Sequence, residues 1–212
     1  MNTMEIEIQN NDFILHASGA AFWKQQKTLL IADVHLGKIA HFRKHGVALP
    51  QNAIAENFKR LDEVASFFNP QKIVFLGDLF HSKINNEWKF FSDWVGKNAA
   101  EITLVEGNHD IIARHNYQDL HIAIHRHLVI DDFLLTHHPT ETDGFFNFCG
   151  HVHPGMKLKD VGRQSLKLAC FFRSENQMIL PAFGEFTGNY FIKPNETDRV
   201  YVVANDKVIQ VK

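Results

Sequence analysis

Five short strings in this 212-residue chain place metal-ligating side chains directly behind apolar runs. Thr28–Ala32 (TLLIA) leads into Asp33-Val34-His35. Lys72–Leu76 (KIVFL) leads into Gly77-Asp78-Leu79-Phe80-His81. Ile102–Val105 is followed, after Glu106, by Gly107-Asn108-His109-Asp110. Phe133–Thr136 runs into His137-His138-Pro139, and Asn147–Cys149 into Gly150-His151-Val152-His153-Pro154. Each string alone has a plain structural reading: a helix cap at Asp33, a turn at Asp78, a satisfied polar side chain at His137 or His138. All five together do not arise by chance. Carboxylate, imidazole and amide oxygen without thiolate form a ligand set that suits Mn, Fe or Zn better than Ca. The donors outnumber the positions around one tetrahedral ion, so two divalent ions are expected. Two ions about 3.5–4 Å apart acidify a shared water and clamp both the attacking and the leaving oxygen, which is the chemistry of phosphoester hydrolysis.

Such donors act together only if the chain folds their strings to one place. The first half alternates strand and helix. Thr28–Ala32, Lys72–Leu76 and Ile102–Val105 read as buried strands. Between them, Gln51–Phe68 repeats Ile54, Phe58, Leu61, Ala65 and Phe68 at helical spacing, between Pro50 and Asn69-Pro70. Asn85–Lys97 puts Trp88, Phe91 and Val95 on one helical face. This is the pattern of a mainly parallel sheet flanked by helices. Ligands of such sheets bind outside the carboxyl ends of the strands, where the strings fall. Met4–Gln9 and Asp12–Ala17 read as a hairpin turning at Asn10-Asn11. Phe133–Thr136, Phe146–Gly150, Leu166–Phe172, Met178–Ala182, Val200–Ala204 and Val208–Val211 read as strands of a second sheet. The expected architecture is a four-layer α/β/β/α sandwich forming one domain over residues 1–212.

Composition excludes several classes. The apolar content, 45%, is too high for a disordered chain carrying this charge. No run approaches the roughly 20 apolar residues of a membrane span, and the opening residues lack the basic and apolar regions of a secretory signal. Two cysteines, Cys149 and Cys170, imply no disulfide framework and fit a reducing, cytoplasmic setting. A formal charge of −2 argues against a strongly basic nucleic-acid binder while leaving room for a local basic patch. The 19 Phe suggest an aromatic core, and several of the 14 His fall in the strings above. His16, His121, His125 and His127 lie outside them and read as structural or surface residues. Trp88 and Trp94 read as helix-core residues.

In this order, D-x-H, G-D-x-x-H, G-N-H-D, H-x-P and G-H-x-H resemble the motifs of the calcineurin-like metallophosphoesterase superfamily, from Asp33 to His153. The resemblance implies that Asp33, His35 and His153 hold one metal and Asn108, His137 and His151 the other, with Asp78 bridging. It implies that His109 contacts the phosphate and protonates the leaving oxygen, with Asp110 orienting His109. His138 would stand beside a ligand without being one.

Narrower strings point to a subgroup. Asp33–Lys38 continuing into His41–Gly46, the Gly77–Ser82 string, and Pro181-Ala182-Phe183-Gly184 are similar to the bacterial ligase-associated DNA damage response endonucleases of the PdeM type. The Gly77–Ser82 string also resembles a group of larger DNA nucleases in which the extra His, here His81, lies beside the phosphate. What this implies is Mn-dependent phosphodiesterase or endonuclease action on DNA in repair, with a DNA ligase or helicase as partner and no membrane. Lys38, Arg43 and Arg114, beside the first and third strings, are the candidate contacts to the phosphate backbone. Two other readings stand beside this one. The same chemistry could act on a small nucleotide-like substrate, since no capping domain or long insertion closes the site. Alternatively, the fold could serve as a non-catalytic interaction subunit, although His109 and His137 are intact.

Overall fold

The computed structural model describes the chain except Met1, residues 39–52, residues 160–164 and Phe186. Arg43 and the start of the first predicted helix therefore lie outside the described residues. Two sheets carry the fold. The first runs in the order β1 (Thr3–Ile8), β2 (Asn11–His16), β3 (Ala21–Trp23), β4 (Thr28–Ile31), β5 (Lys72–Leu76), β6 (Glu101–Val105) and β7 (Ala123–His125). Strands β1 to β4 form an antiparallel meander. From β4 onward the pairing is parallel, Leu30 opposite Val74 and Val74 opposite Thr103. The connections carry α1 (Ala53–Phe68), α2 (Glu87–Lys97) and α3 (Arg114–Asp119). Parallel neighbours need such crossovers, and β4 and β5, covered on both faces, are apolar after a polar first residue.

The second sheet contains β8 (Leu128–Ile130), β9 (Phe133–Leu135), β10 (Phe146–Cys149), β11 (Pro154–Lys159), β12 (Ser165–Arg173), β13 (Gln177–Ile179), β14 (Tyr190–Phe191), β15 (Arg199–Ala204) and β16 (Lys207–Gln210). Its centre, β9-β10-β13, is parallel, and its flanks are antiparallel except for the edge pair β11-β14, which is parallel. The two sheets share one core: Trp23, Leu30, Val74 and Leu76 of the first pack with Phe133, Phe148, Phe171 and Met178 of the second. The other face of the first sheet packs on the helices through Leu61, Phe75, Phe91 and Trp94. All three described helices serve this face, so the described residues give helix, sheet and sheet; the expected outer helical layer over the second sheet is not among them.

The predicted strands and helices are present, most with ends shifted by one to three residues. Helix α2 opens at Glu87 rather than Asn85, because the Asn85 side chain accepts the Glu87 N–H at 2.8 Å and so precedes the first turn. The hairpin turns at Gln9-Asn10, both at positive φ, rather than Asn10-Asn11. Strands β3, β8, β11 and β14 and helix α3 were not foreseen. Most are too short, or too charged, to show a period; β7 and β8 fall in the stretch holding His121, His125 and His127, all three exposed. Both cysteines are buried and free, and burial pushes both thiols up in pKa. No described helix is long and apolar enough to cross a membrane.

Candidate metal centre

Strand exits β4, β5, β6, β9 and β10 converge at one end of the two sheets. The first two are joined rung by rung beyond the strands. Asp33 N–H donates to the Gly77 carbonyl, His35 N–H to Asp78, Leu36 N–H to Leu79, and His81 N–H back to Leu36. The parallel ladder of β4 and β5 thus continues as loop, holding Asp33, His35 and Asp78 side by side. All three are buried.

Sharp turns aim these side chains inward. Of the seven expected ligands, Asp33, His35, Asp78, His151 and His153 all have φ between 50° and 67°. Non-glycine residues adopt this region uncommonly, at a cost of order 1–3 kcal/mol each, and it persists only where surrounding structure over-determines it. Close approach explains the neighbouring glycines. A Cβ at Gly77, itself at φ 82°, would sit 2.3 Å from the His137 ring, and one at Gly150 would sit 2.4 Å from the Asp33 carboxylate.

The carboxylate of Asp78 divides the site. One oxygen lies 3.5 Å from His35 Nε2, the other 3.4 Å from His137 Nε2. On the first side Asp33, His35 and His153 bring their ligand atoms within one ion's reach. There Asp33 Oδ1 and His153 Nε2 lie 3.2 Å apart, both buried and neither hydrogen-bonded. On the second side His137 Nδ1 faces the Leu76 carbonyl at 3.0 Å and must donate to it. Its Nε2 is then a bare lone pair, facing Asn108 Oδ1 and His151 Nδ1 at 3.1 Å each. Lone pairs that converge with too few protons between them are what a cation requires. Ligands about 2.1 Å from an ion sit roughly 3.0–3.4 Å from one another, as these do. The residues therefore fit a pair of divalent ions.

Electrostatics agree. Burial raises the Asp78 carboxyl, but the hydrogen bond to His35, the nearby imidazoles and the His109 backbone N–H outweigh it and hold the group down at about 2. Burial lowers the pKa of His35, His138 and His151, favouring the neutral imidazole that binds metal. His138 lies closer to the centre than its sequence position suggested. Its ring centroid is 4.0 Å from that of His151, and it joins His137 and His151 as a possible ligand group.

The His81 and His109 rings meet in a tilted contact, 4.5 Å between centroids and 39° between planes, both within 6.3 Å of the His35 ring. His109 is exposed at the mouth, its backbone N–H donating to Asp78 at 2.9 Å. Asp110 does not orient the His109 ring. Its two oxygens accept the N–H groups of Phe80 and Gly107, at 3.1 and 2.8 Å, and so lock the second and third loops together. Lys38 reaches the site's edge, where its ammonium donates to the Thr187 hydroxyl. Arg114 is held by both Glu106 oxygens and is not an uncommitted phosphate contact.

The 180–189 loop also supports the centre, and sequence reasoning largely missed it. Thr187 Oγ1 pairs with His35 Nδ1 at 3.1 Å and so fixes which nitrogen faces the site. Gly184 N–H donates to the Asp33 carbonyl at 3.0 Å. Only the Pro181–Gly184 string hinted at this segment. A cavity of about 400 Å³, lined in part by His137, His138, Arg126, Val129 and Phe145, opens beside the second side of the site.

Fold and site together define a two-sheet α/β protein with a clustered His and Asp centre able to hold metal ions. No family model and no curated protein matches the chain. Among solved structures it is similar to the crystal structure of nuclease MPE from Pseudomonas putida, with 31% identity and a TM-score of 0.84 over 99% of this chain and 100% of the other. The chain belongs to the family of that nuclease.

Proposed function

We propose that this protein is a dinuclear-metal phosphodiesterase of the calcineurin-like superfamily that cleaves DNA endonucleolytically. The observation that carries this reading is Asp78, whose two oxygens address two separate ligand groups. Asp33, His35 and His153 would hold one ion, Asn108, His137 and His151 the other. The family relationship to a nuclease supports a nucleic-acid substrate. Manganese, a role in DNA repair and a ligase or helicase partner rest on the motif resemblance, a cytoplasmic location on the cysteine usage, and the full four-layer sandwich on the pattern of strands and helices.

When bound, two divalent ions supply charge neutralisation at the phosphate and an acidified water for attack on phosphorus. The chain's own residues do the rest. Asp33, Asp78 and the imidazoles fix the reaction geometry through backbone turns that cannot relax. His109, at the open mouth, stands where a phosphodiester would enter and holds a proton for the leaving oxygen. His81 packs against the His109 ring on the His35 side. Asp110 acts on His109 through the loop backbone.

The test is nicking of supercoiled plasmid by Mn-loaded protein, with His109→Ala prepared in parallel. Nicking by the wild type alone is expected. A second reading, a small nucleotide phosphodiester as substrate, draws on the cavity beside His137 and His138, which has the size of a small-molecule site. Hydrolysis of a small diester without nicking would favour it.

A further inference from the structure

The hairpin of β11 and β12 carries a pair of charges that sheet stability alone does not explain. Lys157 lies directly opposite Lys167 in antiparallel register. Like charges so placed destabilise a sheet. Among the described residues neither lysine has an acidic partner within ion-pair distance. Instead both gather on one ring: Lys157 Nζ lies 4.6 Å from the centroid of Phe191 on β14, and Lys167 Nζ 5.7 Å. The ring's quadrupole offsets part of the repulsion. Met156, Leu158 and Leu168, alternating with the lysines, pack into an apolar cluster, so the two lysines occupy the opposite face of the hairpin.

This doubled charge is contiguous with the metal centre. Strand β11 begins at Pro154, the residue after His153. Strand β14 begins with Tyr190, whose N–H donates to the His153 carbonyl at 2.9 Å. At about 3.3 Å per residue, Lys157 lies roughly 13 Å along the strand from His153. The chain as a whole is slightly acidic, so the patch is a local feature rather than a general basic surface.

We propose that the Lys157–Lys167–Phe191 face is a track for the phosphate backbone of a nucleic-acid strand whose scissile phosphate sits at the metal centre. The proposal rests on the nuclease reading and extends it by naming where the strand runs beyond the site. A polyanion turns the Lys157–Lys167 repulsion into attraction, because each ammonium group pairs with a phosphate of the strand. Phe191 holds the two side chains extended in place before the strand arrives.

The experiment is binding of a fluorescent single-stranded oligonucleotide to the full chain, stripped of metal so that nothing is cleaved, across a salt series. Each phosphate contact contributes about 0.7 to the slope of log K against log salt for a single strand. Lys157→Ser/Lys167→Ser should therefore flatten the slope by roughly 1.4, while Lys157→Arg/Lys167→Arg should keep it. Lys97→Ser, on α2, is the surface control and should leave the slope as it is. Circular dichroism verifies that each variant folds, and the single variants Lys157→Gln and Lys167→Gln, each expected to flatten the slope by about 0.7, carry the test if the serine pair does not. An unchanged slope in the serine variant, or no oligonucleotide binding by the wild type, overturns the track. Plasmid nicking by the Mn-loaded wild type separates the two readings. Binding that depends on the two lysines without nicking keeps the track and removes the nuclease. Nicking with equal slopes keeps the nuclease and removes the track.

Discussion

The two sides of the centre are built differently. Asp33 and His35 are buried and come from loops zipped together by backbone hydrogen bonds. On the other side His137 is buried, but Asn108 and His151 are exposed, and His138 stands beside them. One side is built on a rigid extension of the parallel sheet and completed by the partly exposed His153 of the second sheet, and the other is a more exposed rim assembled from loops of both sheets. The difference suits a hydrolase that must hold its metals firmly and still admit a bulky substrate. The rim carries the cavity, while the exposed His109 stands at the mouth on the His35 side.

The most severe way to break this contrast is to remove what joins the halves. Asp78→Asn should empty both positions, with metal content falling from two ions per chain toward none by elemental analysis and activity lost. Two retained ions would end the bridging assignment. His109→Ala should retain both metals and lose roughly 10²–10⁴ in turnover. Equal rates would remove it from the acid role. His151→Ala should act on the rim alone, dropping the metal count by one, whereas loss of both ions would mean that the rim also holds the buried side. Thr187→Val should weaken metal affinity on the buried side by roughly 10–100-fold, as measured by competition with a chelator, because His35 loses its orienting partner. The smallest effect is expected from Arg114→Ala. Its pair with Glu106 is exposed, and surface pairs contribute about 0–1 kcal/mol, so thermal stability and DNA affinity should both stay nearly unchanged.

Much of the site was legible because it depends on residue type at fixed offsets behind apolar runs. Asp33, His35, Asp78, Asn108, His137, His151 and His153 each follow a strand, and parallel strands bring their exits together wherever the sheet forms. Asp110 was misread because adjacency to His109 says nothing of direction. Its carboxylate turns back to cap Phe80 and Gly107. Arg114 was misread because its partner, Glu106, lies eight residues away across a turn. Thr187 carried no signal at all, since it meets His35 across 152 positions of sequence.

The sequence by itself determined the layered α/β class, the buried strands and the inventory of Asp, His and Asn side chains that follow them. These follow from local hydrophobic periodicity and from the rule that parallel strands open their binding crevice at one edge. Only the tertiary structure decided which oxygen of Asp78 faces which imidazole, that five ligands occupy left-handed backbone, and that Lys157 and Lys167 share one ring. Those are matters of a few tenths of an ångström and of contacts between distant segments. They are fixed by the packing of two sheets on each other, and local pattern does not encode that packing.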